Sequence, residues 1–168
     1  MRGIAERLVN PEALLALYGE LPAQPSGGVR IRSLNLNWRG PTVTLRVDLP
    51  AFPQPPPPAW VEEGVDTVQC QLEFLAVERI SLGEWDPPAV SDIDFASFGS
   101  ERRMRVALDG DGVSLGFECS EFVTLGHVSA FRGGDDGSDG GRHLFVSKVD
   151  ARRYRSLPGT EEKTFYGR

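Results

Sequence analysis

Hydrophobic residues recur along this chain in two rhythms. Near the start, in NPEALLALYG, Leu14, Leu17 and Tyr18 stand at i, i+3 and i+4, the spacing of one face of a helix. Asn10 can cap that helix, Pro11 suits its first position, Glu12 complements its positive end, and Gly19 can take the left-handed conformation that closes it. A helix this short holds only if its apolar face docks on something larger. From Val29 onward the rhythm becomes two, the period of strands.

The stretch SLNLNWRGPTVTLRVDLP predicts a hairpin with its turn at RGPT. Pairing Trp38 with Val43 then opposes Leu36 to Leu45 and Leu34 to Val47, so one face is core. The other face pairs Asn37 with Thr44, Asn35 with Arg46, and Ser33 with Asp48. Val29 and Ile31 fall out of phase with Leu34 and Leu36, which places a bulge or break near Ser33. MRVAL and VSLGF, flanking DGDG, predict a second hairpin pairing Leu108 with Val113, Val106 with Leu115, and Met104 with Phe117.

Between the hairpins, VQCQLEF sets Val68, Cys70, Leu72 and Phe74 on one face and Gln69, Gln71 and Glu73 on the other. AVERISL, EFVTLGHVSAF and RHLFVSKVD have strand length and strand composition. Strands do not alternate with amphipathic helices, which disfavours a parallel sheet. The expected fold is mainly β, with α+β at its margin: an antiparallel sandwich or partly open barrel of about seven or eight strands with the short helix packed on it. Two segments punctuate it. PAFPQPPPPAW favours extended polyproline II crossing the surface between strands, with Trp60 closing over the core edge, and RGGDDGSDGGR reads as a mobile hairpin or loop.

Length and charge narrow the possibilities. At 168 residues the chain suits a single domain, residues 1–168. A formal charge of −6 argues against a phosphate-binding surface, so nucleic acid is not an expected partner. Charge interrupts the N-terminal residues too often for a leader or a membrane span, and the expected location is the cytoplasm. Cys70 and Cys119 fall in phase with apolar positions and read as reduced core residues.

Candidate chemistry is sparse. His127 and His143 are the only histidines, and neither stands near a motif that supplies a nucleophile or a metal partner. HExxH, GxSxG, a P-loop lysine and CxxC are all absent, so no enzymatic activity, cofactor or metal is expected. An enzyme would need one of the histidines to converge with carboxylates in a cleft. Asp135, Asp136, Ser138 and Asp139 resemble the composition of a calcium loop, but no glutamate follows at the required spacing. The loop then reads as solvated, or as an acidic contact for a basic partner. PPPPAW could serve an adaptor that reads proline helices or act as a plain linker.

NPEALLALYG, LNLNWRGPTVTLRVDLP, DTVQCQLEFLAVERISLGEW and GSDGGRHLFVSKVDARRYRSLP, in this order, resemble the bacterial immunity protein 50 family, from roughly Asn10 to Pro158. The resemblance implies a small β-rich cytoplasmic protein of a polymorphic toxin system that binds and neutralises a cognate protein toxin non-covalently. It transfers no site residues. The alternative is a non-enzymatic β-rich binding module for another protein or a small ligand. The residues expected to meet a partner are Asn35, Asn37 and Arg46 on the polar face of the first hairpin and Asp135, Asp136 and Asp139 in the acidic loop. If Arg46 lies on a solvent face, Arg46→Glu leaves folding intact.

Overall fold

The structure is a computed structural model that describes residues 4–20, 28–154 and 156–158. Ten strands form two antiparallel sheets: β1 (Val29–Asn37), β2 (Thr42–Asp48), β3 (Thr67–Phe74), β4 (Glu78–Trp85), β5 (Ala89–Ser91), β6 (Ile93–Phe98), β7 (Arg103–Gly110), β8 (Val113–Ser120), β9 (Val123–Phe131) and β10 (His143–Phe145). The larger sheet runs β10-β9-β3-β2-β1-β5 and the smaller β4-β8-β7-β6. The outcome is the expected mainly β class, with two packed sheets and no closed barrel. The number exceeds the expected seven or eight partly because β5 and β10, each of three residues, are too short to show a rhythm.

Alternation decides the core. Val43, Leu45 and Val47 of β2, and Val68, Cys70, Leu72 and Phe74 of β3, turn inward and are at most 4% exposed. They meet Met104, Val106, Leu115 and Phe117 of the smaller sheet in one cluster. Phe74 and Phe117 pack edge to face with centroids 5.2 Å apart, an arrangement that adds about 1 kcal/mol to simple burial. Cys70 and Cys119 are free and buried, as expected.

Both hairpins form, each two residues out of the expected register. In the first, Leu36 pairs with Val43 and Leu34 with Leu45, and residues 38–41 make the turn. Trp38 is drawn into that turn and is 80% exposed instead of facing the core. The polar pairs become Asn37 with Thr42, Asn35 with Thr44 and Ser33 with Arg46, and the bulge falls between Ile31 and Ser33 as expected. In the second hairpin Val106 pairs with Phe117 and Leu108 with Leu115. Gly110 still pairs with Val113, so Asp111 and Gly112 alone turn the chain, Gly112 at φ +86°. Two-residue turns suit the twist of paired strands better than the four-residue turn expected from DGDG.

The helices depart from expectation more than the strands. The first, α1 (Glu12–Tyr18), ends on Gly19 at φ +74°, whose N–H reaches Leu15 O. It docks Leu14 into the core, with Leu17 and Tyr18 packed beside it. Asn10 does not cap it. Its Nδ2 donates to Leu125 O and its Oδ1 accepts from Leu125 N–H, both at 2.8 Å, so the amide clips the N-terminal segment onto β9. The proline segment turns into α2 (Pro58–Glu63), where Pro58 stands at the helix start and Trp60 is buried against Phe52. The end of RHLFVSKVD is also a helix, α3 (Lys148–Arg153), because the Ser147 hydroxyl accepts from the backbone N–H groups of Val149 and Asp150.

Candidate functional site

The face of the larger sheet turned away from the core is polar by the same alternation that makes the other face apolar. β2 contributes Thr42, Thr44, Arg46 and Asp48, and β3 contributes Gln69, Gln71 and Glu73 in register with them. β1 adds Ser33, Asn35 and Asn37, and β9 adds Ser129 opposite Gln69. On an open antiparallel sheet such residues face water. Here Asp48, Gln69, Gln71 and Ser129 are at most 5% exposed.

Part of the cover is the acidic loop. Residues 132–142 leave β9 and re-enter the sheet at β10, and between these points they are tied to the polar face. Arg32, the extra residue of the β1 bulge, donates from Nε and Nη2 to Asp48 Oδ2 at 2.8 and 2.6 Å, and from Nη1 to the carbonyl of Gly137. Arg46 donates from Nη1 to Asp139 Oδ2 and from Nε to Ser33 Oγ. Gln69 Nε2 spans the two carboxylates, reaching Asp48 Oδ1 at 2.8 Å and Asp139 Oδ2 at 2.9 Å. Two arginines and two aspartates thus satisfy one another, the condition under which charge tolerates burial. Burial pushes the Asp139 carboxyl up, but the Gln69 hydrogen bond and the Arg46 and Arg32 charges outweigh it and hold the group below the usual range.

His143 completes the attachment. Its Nε2 lies 2.9 Å from Asp139 O and its Nδ1 2.9 Å from Ser129 Oγ, while the ring stacks on Phe131. A carbonyl only accepts, so Nε2 carries a proton, and in the neutral ring Nδ1 accepts from the serine hydroxyl. Burial pulls the His143 pKa below its ordinary value. His127 sits in a β9 bulge, where it and Val128 together face Cys70, with φ +46°. Its Nδ1 lies 3.2 Å from Asp150 Oδ2, which ties α3 to the sheet.

The expected partner residues divide in two. Arg46 and Asp139 are brought together and engage each other, which corrects the expectation that Arg46 lies on a solvent face. The loop is largely exposed, as expected of a solvated segment, but Asp139 and the Gly137 carbonyl tie it to the sheet. Asn35 is half-buried and Asn37 exposed, its Oδ1 accepting the Arg39 N–H. Asp135 and Asp136 are exposed on the loop. Ser138 donates to Asp136 from its hydroxyl and its backbone N–H, which holds that carboxyl below the usual range. Arg32, Asp48, Gln69, Ser129 and His143 were not singled out as a group. Their signal was the bulge at Ser33, which turns Arg32 toward Asp48.

Neither histidine lines the open cleft of about 420 Å³ beside the loop, whose walls include Arg30, Arg32, Asp48, Asp66 and Gly133. Among the described residues no three or more His, Cys, Asp and Glu side chains are grouped to hold a metal ion. Among them, too, no helix is long and apolar enough to cross a membrane.

The sequence profile described as immunity protein 50 matches residues 10–130, from the asparagine that clips the N-terminal segment to the penultimate residue of β9. The chain belongs to the immunity protein 50 family. No curated protein and no solved structure gives a match. Within the span shared with the family lie Arg32, Arg46, Asp48, Gln69 and Ser129, and the loop and β10 that carry Asp139 and His143 follow it.

Proposed function

We propose that this protein neutralises a cognate toxin in the cytoplasm by binding it non-covalently. The observation that carries this reading is the family membership over residues 10–130. A protein that acts by occupying an essential face of another needs a rigid scaffold and a complementary surface, and no chemistry of its own. The network around Arg46 and Asp139 supplies rigidity, because every charge in it is fixed from at least two sides. The contact surface includes Asn35 and Asn37 beside the first hairpin turn and Asp135 and Asp136 on the loop, with Arg46 and Asp139 holding the two regions together. Exposed carboxylates on a chain of charge −6 suit a basic partner surface, such as that of a nuclease toxin, and speed its capture.

Co-expression with the product of each adjacent open reading frame tests the reading. Rescue of growth together with a stable co-purified complex is the expected result. Toxic neighbours that are neither rescued nor bound would remove it.

A further inference from the structure

Resting on that toxin-binding reading, we infer that the energetic centre of the contact is the end of the sandwich where the first hairpin turns, and that it receives an apolar hollow of the toxin rimmed by carboxylates. Three backbone hydrogen bonds lace four connections together there. Val77 N–H donates to Pro41 O at 2.8 Å, Ser120 N–H to Leu75 O at 3.0 Å, and Glu121 N–H to Arg102 O at 2.9 Å. The connections β1–β2, β3–β4, β8–β9 and β6–β7 are therefore held together as one platform.

Exposed hydrophobic side chains occur elsewhere too, as at Val61, Val90 and Val149, but this platform carries the exposed tryptophan. Trp38 is 80% exposed, Leu36 51%, Phe122 45% and Leu75 40%. Single exposed hydrophobes need no explanation, but several on adjoining turns, including a tryptophan, make the composition of a contact centre. Two arginines accompany them. Arg39 lies over the Trp38 ring at 5.2 Å and Arg102 over the Phe122 ring at 5.7 Å. Neither has a carboxylate partner among the described residues, whereas the neighbouring Arg103 is paired with Glu78. A guanidinium lying over a ring without an ion-pair partner has its donors free to take a carboxylate in two-point fashion. Two such groups flank the exposed rings against one exposed carboxylate in the same turns, Glu101, since Glu121 pairs with Arg7. This surplus of unpaired cations suits a partner that is apolar in the middle and acidic at the rim.

The acidic loop is tied to the Asp48 end of β2 and the platform lies beyond its Thr42 end, roughly 20 Å away by strand rise. The loop tip then influences approach, and the platform holds the complex.

The test uses the full chain and the toxin it rescues, with binding read by titration. Trp38→Ala is expected to weaken Kd at least ~30-fold and Arg102→Glu about tenfold. The pair Asp135→Asn with Asp136→Asn is expected to lower the association rate and to change dissociation by less than about threefold. Unfolding midpoints should stay at the wild-type value, because these side chains are largely in water. Wild-type affinity in both platform variants would overturn the inference while leaving toxin binding standing. Absence of any complex with the wild-type chain would remove the toxin reading and this inference with it. A wild-type dimer that Trp38→Ala converts to monomer would assign the platform to a second copy and overturn the inference.

Discussion

Arg46 on β2 and Asp139 in the loop stand 93 positions apart in sequence and form an ion pair, their side chains 17% and 19% exposed. The pair makes a surface loop part of the sheet it crosses. Arg46→Glu would place two carboxylates against each other where one was compensated. Loss of charge-assisted hydrogen bonds of this kind costs about 2 kcal/mol, or about 4–8 °C in Tm for a chain of this size. Trypsin should then cut at Arg132 and Arg142 faster than in the wild type. An unchanged Tm and digestion rate would show that the loop is held by other contacts.

The loop attachment should weaken on acidification in two steps. His143 is neutral in the fold with its pKa below 6.5, so between that lowered value and 6.5 the unfolded chain binds more protons than the native one. Its contribution is complete above about pH 6.5 and declines as pH falls toward the folded value. Asp139 has its pKa below 3.8, so its contribution is complete above about pH 3.8 and is lost as pH falls through the folded value. Urea midpoints between pH 7 and 5 should fall in the wild type and fall less in His143→Gln. Equal slopes would exclude His143 as their source.

Asn10 offers a sharper stability test than any residue of α1. Asn10→Ala leaves both the N–H and the carbonyl of buried Leu125 without a side-chain partner, at a cost of about 1–3 kcal/mol. Asn10→Asp should recover part of this by keeping the acceptor for Leu125 N–H. An effect below about 0.5 kcal/mol in chemical denaturation would mean that water replaces the amide.

The two thiols should be inert in the native protein. Burial pushes the Cys70 pKa up to about 12, with the Asp48 charge adding to it, and burial also pushes Cys119 to about 12. Because the thiolate is the reactive form, an aromatic disulfide reagent at pH 8 should label neither until the protein unfolds. Rapid labelling of one thiol under native conditions would show local opening of its strand.

The first hairpin separates what is legible in sequence from what is not. Leu34 and Leu36 on one face, and Ser33, Asn35 and Arg46 on the other, were readable from period alone. So were the bulge near Ser33 and the inward set Val68, Cys70, Leu72 and Phe74. The pairing was not: Leu36 meets Val43 instead of Leu45, and Val106 meets Phe117 instead of Leu115. A slide of two residues leaves every side chain on its own face, so alternation fixes the face and is blind to such a slide. Turn geometry chose the register, and in doing so it carried Trp38 from the expected core onto the surface.

The polar network was hidden for a related reason. Arg46, Gln69 and Asp139 are ordinary solvent-face residues until the chain crosses them, and nothing local signals that a glycine-rich loop will be held by long-range hydrogen bonds. The sequence by itself determined that this protein is mainly β, which side chains share a face, and that Cys70 and Cys119 belong inside. Only the tertiary structure decided which polar residues are buried and which turns adjoin. Those depend on segments distant in sequence meeting in space, and the period of a strand carries no information about what comes to lie across it.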